Sequence, residues 1–125
     1  MFINISNHPS SRWDAKQLEA ALELTSDNNV MDIPFPAVPA TATTSDIITI
    51  ADSLHHTVMA NKPSAIMIAG EFTLAYTLIE LCLRAGIKVV AACSDRCTQE
   101  VVNEDGTTTK ITIFEFVQFR EFPKL

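Results

Sequence analysis

Positive charge is scarce in this chain and nowhere concentrated. Its nine lysines and arginines are outnumbered by fifteen acids, for a net charge of −6, and are spread from Arg12 to Lys124. That argues against binding duplex DNA or RNA through a basic face, although a small anion needs only a few local donors. Glycine is scarcer still, at three residues. Only Gly70 stands in a strand-to-helix turn, and no lysine follows it, so a glycine-rich phosphate loop is excluded. Cys82, Cys93 and Cys97 form no CxxC pair, and His8, His55 and His56 lie far from them in sequence. Free thiols are therefore expected, with neither a disulfide nor a metal site, and no cofactor is implied. No apolar run reaches the roughly 18 to 20 residues of a membrane span. Met1 to Ile5 lacks the basic-then-apolar pattern of a secretory leader, so the expected compartment is the cytoplasm.

What the chain does have is apolar content, 47% over 125 residues, enough for one substantial core. Its pattern alternates strand and helix. Met1 to Ser6 reads as a strand and Asn7 to Trp13 as a polar loop. Asp14 reads as a helix N-cap, with Gln17 three residues on in the manner of a capping box. Leu18, Ala21, Leu22 and Leu24 form that helix's apolar stripe. Val30 to Ile33 is a second strand, and Pro34, Pro36 and Pro39 hold the following chain extended. Thr44 or Ser45 is the expected cap of the next helix, which buries Ile47, Ile48, Ala51, Leu54, Val58 and Met59. Ser64 to Ala69 and Ile87 to Cys93 are apolar on both faces, the mark of central parallel strands. Between them lies a helix from Phe72 to Ala85, closed by Gly86 as a left-handed C-cap.

After Cys97 two strand-like segments, Thr98 to Asn103 and Thr108 to Phe119, flank the hairpin signal Glu104-Asp105-Gly106. In the second segment Ile111, Ile113, Glu115, Val117 and Phe119 alternate with Thr112, Phe114, Phe116 and Gln118. One face is expected to be core and the other a cover or dimer interface. The whole is one α/β domain over 1–125, a three-layer, mostly parallel sheet with right-handed crossovers. Residues 1–97 form its βαβαβαβ core and 98–125 a C-terminal antiparallel β-hairpin.

In open parallel sheets ligands bind beyond the carboxyl ends of the strands, where strand order reverses. Strands one and three are expected to flank that point. The loop after the first strand offers Asn7, His8, Ser10, Ser11 and Arg12, a group of donors, an imidazole and a cation suited to phosphate and ribose. The same loop also reads as a solvated turn with serine caps. Trp13 either stacks a base or anchors the helix start in the core. At Gly70-Glu71-Phe72-Thr73 a helix N-terminus offers backbone N–H groups to an anion. A tight turn in which Glu71 itself accepts those N–H groups is the alternative. Ser94-Asp95-Arg96 is placed just past the fourth strand on the same rim, where Arg96 meets either a ligand phosphate or Asp95.

Three segments carry a resemblance: the strand leading into SNHPS, the run AGEFTLAYTLIELCLRAGIKVVAACSDR, and the ending EDGTTTKITIFEFVQFREF. With Gly70, Glu71 and Phe72 before a helix, Ser94 and Arg96 after a strand, and Asp105, Gly106, Val117, Phe119, Arg120 and Phe122 at the end, the chain resembles a known family. These are the small CRISPR-associated proteins with a Rossmann-like, CARF-type domain that act as stand-alone ring nucleases in type III CRISPR systems. The resemblance departs at Gln118 and Phe122, where a basic residue and a tyrosine are expected. It implies a homodimer that binds a cyclic oligoadenylate, cyclic tetra-adenylate in the first instance, across its two-fold axis. It further implies metal-independent cleavage by attack of a ribose 2′-hydroxyl on the adjacent phosphate. Arg12 and the N–H groups of Phe72 and Thr73 would hold phosphates, and Glu71 or His8 would take the 2′-hydroxyl proton. Ser6, Asn7, Ser10, Ser11, Trp13, Gly70, Ser94 and Arg96 complete the implied ligand-binding set. A protein that sequesters the same messenger without cutting it is the alternative.

Overall fold

Phe2, Asn4 and Ser6 point to one side of the first strand, and Ile3 and Ile5 to the other. All five are buried, so this strand is covered on both faces. The computed structural model describes residues 1–125. In chain order its elements are β1 (Phe2–Ser6), a 3₁₀ turn (Ser10–Arg12), α1 (Ala15–Glu23), β2 (Val30–Pro34) and α2 (Thr44–Asn61). They continue with β3 (Ala65–Ile68), α3 (Phe72–Arg84), β4 (Lys88–Val102) and β5 (Thr108–Glu121). The five strands form one sheet in the order β2-β1-β3-β4-β5. Its ladders are parallel except β4 with β5, which is antiparallel. Strand order reverses between β1 and β3, as expected.

The two faces carry separate cores. Ile3, Ile5, Ile66, Ile68 and Val89 point to the side covered by α2 and α3, where they meet Ile47, Ala51, Leu74 and Leu78. Phe2, Ala65, Met67 and Val90 point to the other side, against Ala21 of α1 with Trp13 and Phe119 at the margin. The alternation along each buried strand is thus what sandwiches the sheet between helices. Each fully buried Ile or Leu contributes about 1.5 to 3 kcal/mol of transfer free energy.

The helix ends follow from local chemistry. The Asp14 carboxylate accepts from the N–H of Gln17 at 2.8 Å, one half of the expected box. The α2 cap is Thr43, one residue before the expected Thr44 or Ser45. Its hydroxyl accepts from the Asp46 N–H at 3.1 Å, and the Asp46 carboxylate accepts from the Thr43 N–H at 2.9 Å. Along α2 the contact stripe is Ile47, Ala51, Leu54 and Val58. Ile48 and Met59, expected inside, lie one position off that stripe and are exposed. At the end of α3, Gly86 adopts φ +79°. Its N–H donates to Leu83 O and that of Ile87 to Cys82 O, both at 3.0 Å, which closes the helix in a Schellman motif.

The largest departure from expectation is β4. It does not stop at Cys93 but continues unbroken to Val102 and is itself the first arm of the hairpin. Ser94, Asp95 and Arg96 are therefore strand residues, opposite Phe116, Glu115 and Phe114. The turn forms where expected, with Gly106 at φ +84°. A register shift between Cys93 and Ser94 leaves Val117 without a partner, a β-bulge. The bulge moves Phe119 onto the same face as Phe116, their rings 4.9 Å apart. The simple alternation expected for β5, which set Phe119 with Val117 against Phe116, is broken there.

Candidate functional site

The loop after β1 is pinned from below by polar residues of the sheet. Asn4 and Asp32 sit side by side on β1 and β2. The Asn4 amide donates to Asp32 Oδ1 and to the His8 carbonyl, both at 2.9 Å. The Ser6 hydroxyl donates to Asn4 Oδ1 at 2.7 Å and accepts from the His8 N–H at 3.1 Å. The Asp32 carboxylate in turn accepts from the Ser10 hydroxyl at 2.8 Å and from the Ser10 N–H at 3.2 Å. Ser6 and Ser10 thus spend their donors inside the chain, and the anion at the start of the 3₁₀ turn is the protein's own Asp32. The same residues lock the backbone of His8 and aim the loop.

Trp13 is both wall and anchor. Its indole N–H donates to the His8 carbonyl at 3.2 Å, and its ring lies edge-on to Phe2 with centroids 6.0 Å apart. Beside it opens a cavity of about 680 Å³, on the α1 face of the sheet at the carboxyl ends of the strands. One wall is His8, Arg12 and Trp13. The floor is Met67 to Ala69 with Ala91 and Ala92, and the far wall is Ser94, Phe114 and Phe116. Arg12 belongs to neither of the chain's ion pairs, Met1–Asp27 and Arg84–Glu80, and it lines this space together with Asp14 and Gln17 of the start of α1. Arg96 lies one same-face step beyond Ser94, opposite Phe114. Asn7 lines a smaller cavity of about 210 Å³ with Asn4, Ser6 and Asp32. Ser11, exposed in the 3₁₀ turn, lines neither.

The second turn behaves differently from the first. Glu71 caps α3: its carboxylate accepts from the N–H of Thr73 at 3.0 Å, the N–H of Leu74 at 2.9 Å and the Thr73 hydroxyl at 2.7 Å. These donors, with the Leu74 N–H foremost, hold its carboxyl below the usual range. Those N–H groups are occupied, and the carboxylate is committed to them. Gly70 is small for a packing reason, since a Cβ there would stand 2.5 Å from the Phe35 ring. Phe72 and Thr73 face away from the first cavity. With Thr43, Thr44 and Tyr76 they line another of about 430 Å³, between the starts of α2 and α3. Only Ala69 carries this turn into the first cavity. The two turns share a rim but are divided by the sheet.

Sequence reasoning missed Asn4, Asp32, Phe114 and Phe116. Asn4 was visible as a polar residue inside an otherwise apolar strand. Phe114 and Phe116 became cavity walls only because β4 and β5 run on past the sheet.

Fold and cavity together define an α/β protein with an open cavity at the switch point of a mostly parallel sheet. By sequence the chain belongs to the family described as "Uncharacterized protein MJ1673 family", whose model matches residues 1–120. No curated protein and no solved structure matches it. None of its helices is long and apolar enough to cross a membrane.

Proposed function

We propose that two copies of this chain, each a Rossmann-like domain of the CARF type, bind a cyclic oligoadenylate in the cytoplasm and open its ring without a metal. The observation that carries this reading is that Arg12, outside both ion pairs, lines with His8 an aromatic-walled cavity at the switch point. A cavity of about 680 Å³ lies within the size range of small-ligand sites. Two such cavities across a two-fold axis would each take half of a cyclic tetra-adenylate.

In this reading Arg12 neutralises the scissile phosphate, and Trp13 and Phe114 offer surfaces to adenine. The ribose 2′-oxygen attacks the adjacent phosphorus, and the 5′-oxygen leaves and takes up a proton. The products carry a 2′,3′-cyclic phosphate and a 5′-hydroxyl. His8 accepts the 2′-hydroxyl proton, a role worth about 10²- to 10⁴-fold in rate. Glu71 is left out of the chemistry because α3 holds its carboxylate.

That same capping favours a second reading, in which the protein sequesters the messenger without cutting it. Incubation with cyclic tetra-adenylate in EDTA, followed by chromatography, separates the two. A ring nuclease converts the ring at catalytic protein concentration, loses binding on Arg12→Ala, and loses turnover but keeps binding on His8→Ala. Intact ring held stoichiometrically by the wild type selects sequestration. Absence of binding by calorimetry removes both.

A further inference from the structure

The β3–β4 ladder ends at Met67 and Val90, so from Ala91 onward β4 has no neighbour on that side. Ser94 to Val102, with its β5 partners, projects as a two-stranded ribbon. Phe116 alone in it is buried, while Phe114 and Val102 are 70% and 73% exposed. Such a ribbon is marginal in water, and its open backbone edge is a template for a further strand.

We propose that this β4 edge pairs antiparallel with the β4 edge of a second copy, about a two-fold axis at Thr98, giving a continuous β5-β4-β4-β5 sheet. The register follows from symmetry and charge. A two-fold axis perpendicular to the ribbon keeps every side chain on its own face, and directly opposed residues share a face. Even-numbered residues of β4 can therefore oppose only even-numbered ones. The charges on this part of β4 are Asp95, Arg96 and Glu100. Opposite charges meet in a single register, Arg96 against the partner's Glu100, twice by symmetry, with Thr98 against the partner's Thr98. Arg96 makes no ion pair within its own chain, where Phe114 stands opposite it.

The outer edge of β5 within the projecting ribbon, Thr108 to Phe116, has no such solution. The charges of that stretch, Lys110 and Glu115, lie opposite Glu100 and Asp95, on different faces, so no two-fold register within the ribbon sets them against each other. A third and fourth strand also supply the minimum that an independent sheet needs.

The inference deepens the dimer of the preceding reading, and its test needs no ligand. Sedimentation equilibrium of the full chain is expected to show a dimer. Arg96→Glu and Glu100→Arg singly place two like-charge pairs across the axis and raise the dissociation constant by about tenfold or more. The double charge swap restores it to near the wild-type value, which a merely misfolded single variant would not allow. A monomeric wild type, single variants that dimerise unchanged, or a double variant no tighter than the singles would each overturn the pairing. A dimer blind to cyclic oligoadenylate removes only the functional reading, whereas a dimer that binds it but is unchanged by the Arg96 and Glu100 variants removes only this one.

Discussion

Asn4 occupies the centre of a strand where the pattern calls for a hydrophobe, and it is 1% exposed. Its amide joins Asp32 to the His8 carbonyl and its oxygen accepts from the buried Ser6 hydroxyl, so Asn4→Ala would remove three hydrogen bonds from a buried position and open a void. A loss of about 1 to 3 kcal/mol in urea unfolding is expected. Gly70→Ala would force the Phe35 ring to move, at about 1 to 3 kcal/mol by the same measurement. Burial pushes the Cys82 thiol up to about 11. In the native protein, alkylation with iodoacetamide at pH 8 should therefore spare Cys82 and modify the half-buried Cys93 and Cys97. At this scale the sequence was informative about residue type and weak about role. Glu71 could be a base, a ribose contact or a cap, and only the positions of the Thr73 and Leu74 N–H groups decide for the cap. Trp13 likewise turns out to be a core anchor that also borders the cavity.

The helices and the three inner strands were legible because their signals are local. Period-3.6 stripes, Asp14, Gly86 and the continuously apolar SAIMIA segment each carry their own physical cause. The Thr43 cap was misplaced by one residue because three consecutive hydroxyl-bearing residues offer equal caps, and Asp46 breaks the tie by closing the box on the first. The length of β4 was not legible. Ser94-Asp95-Arg96 is polar, and no local rule continues a strand through polar residues when the support comes from a distant β5. The bulge at Val117 was hidden for the same reason.

Caps carry predictions of their own. Thr43→Ala should cost about 1 kcal/mol in thermal or urea unfolding. The folded-state pKa of Glu71 lies below its ordinary value of 4.5. Its contribution to stability is therefore complete above that pH and is lost as the pH falls through the folded value. Glu71→Gln should accordingly be less stable than wild type at neutral pH, and the gap should close in acid. Denaturation midpoints measured between pH 7 and about pH 3 would check this.

At the scale of the whole molecule, the net charge of −6 opposes the approach of a polyanion. Added salt screens both this repulsion and the local attraction of Arg12, so the association rate of cyclic tetra-adenylate should change only modestly in stopped-flow measurements. A steep fall would reveal a local basic rim stronger than Arg12 and Arg96 provide. Architecture at this scale was largely legible: the switch point between β1 and β3 follows from strand–helix alternation. The division of the rim into two cavities was not, because it depends on which face each helix covers.

The indole of Trp13 gives the molecule one further property. The chain has one tryptophan and one tyrosine, Trp13 bordering the larger cavity and Tyr76 the cavity between α2 and α3. The protein thus carries two native chromophores, one for each side of its rim. Emission excited at the red edge reports on the first alone, without label or mutation. A ligand that enters beside His8 would change the colour and yield of that emission while leaving the tyrosine band in place.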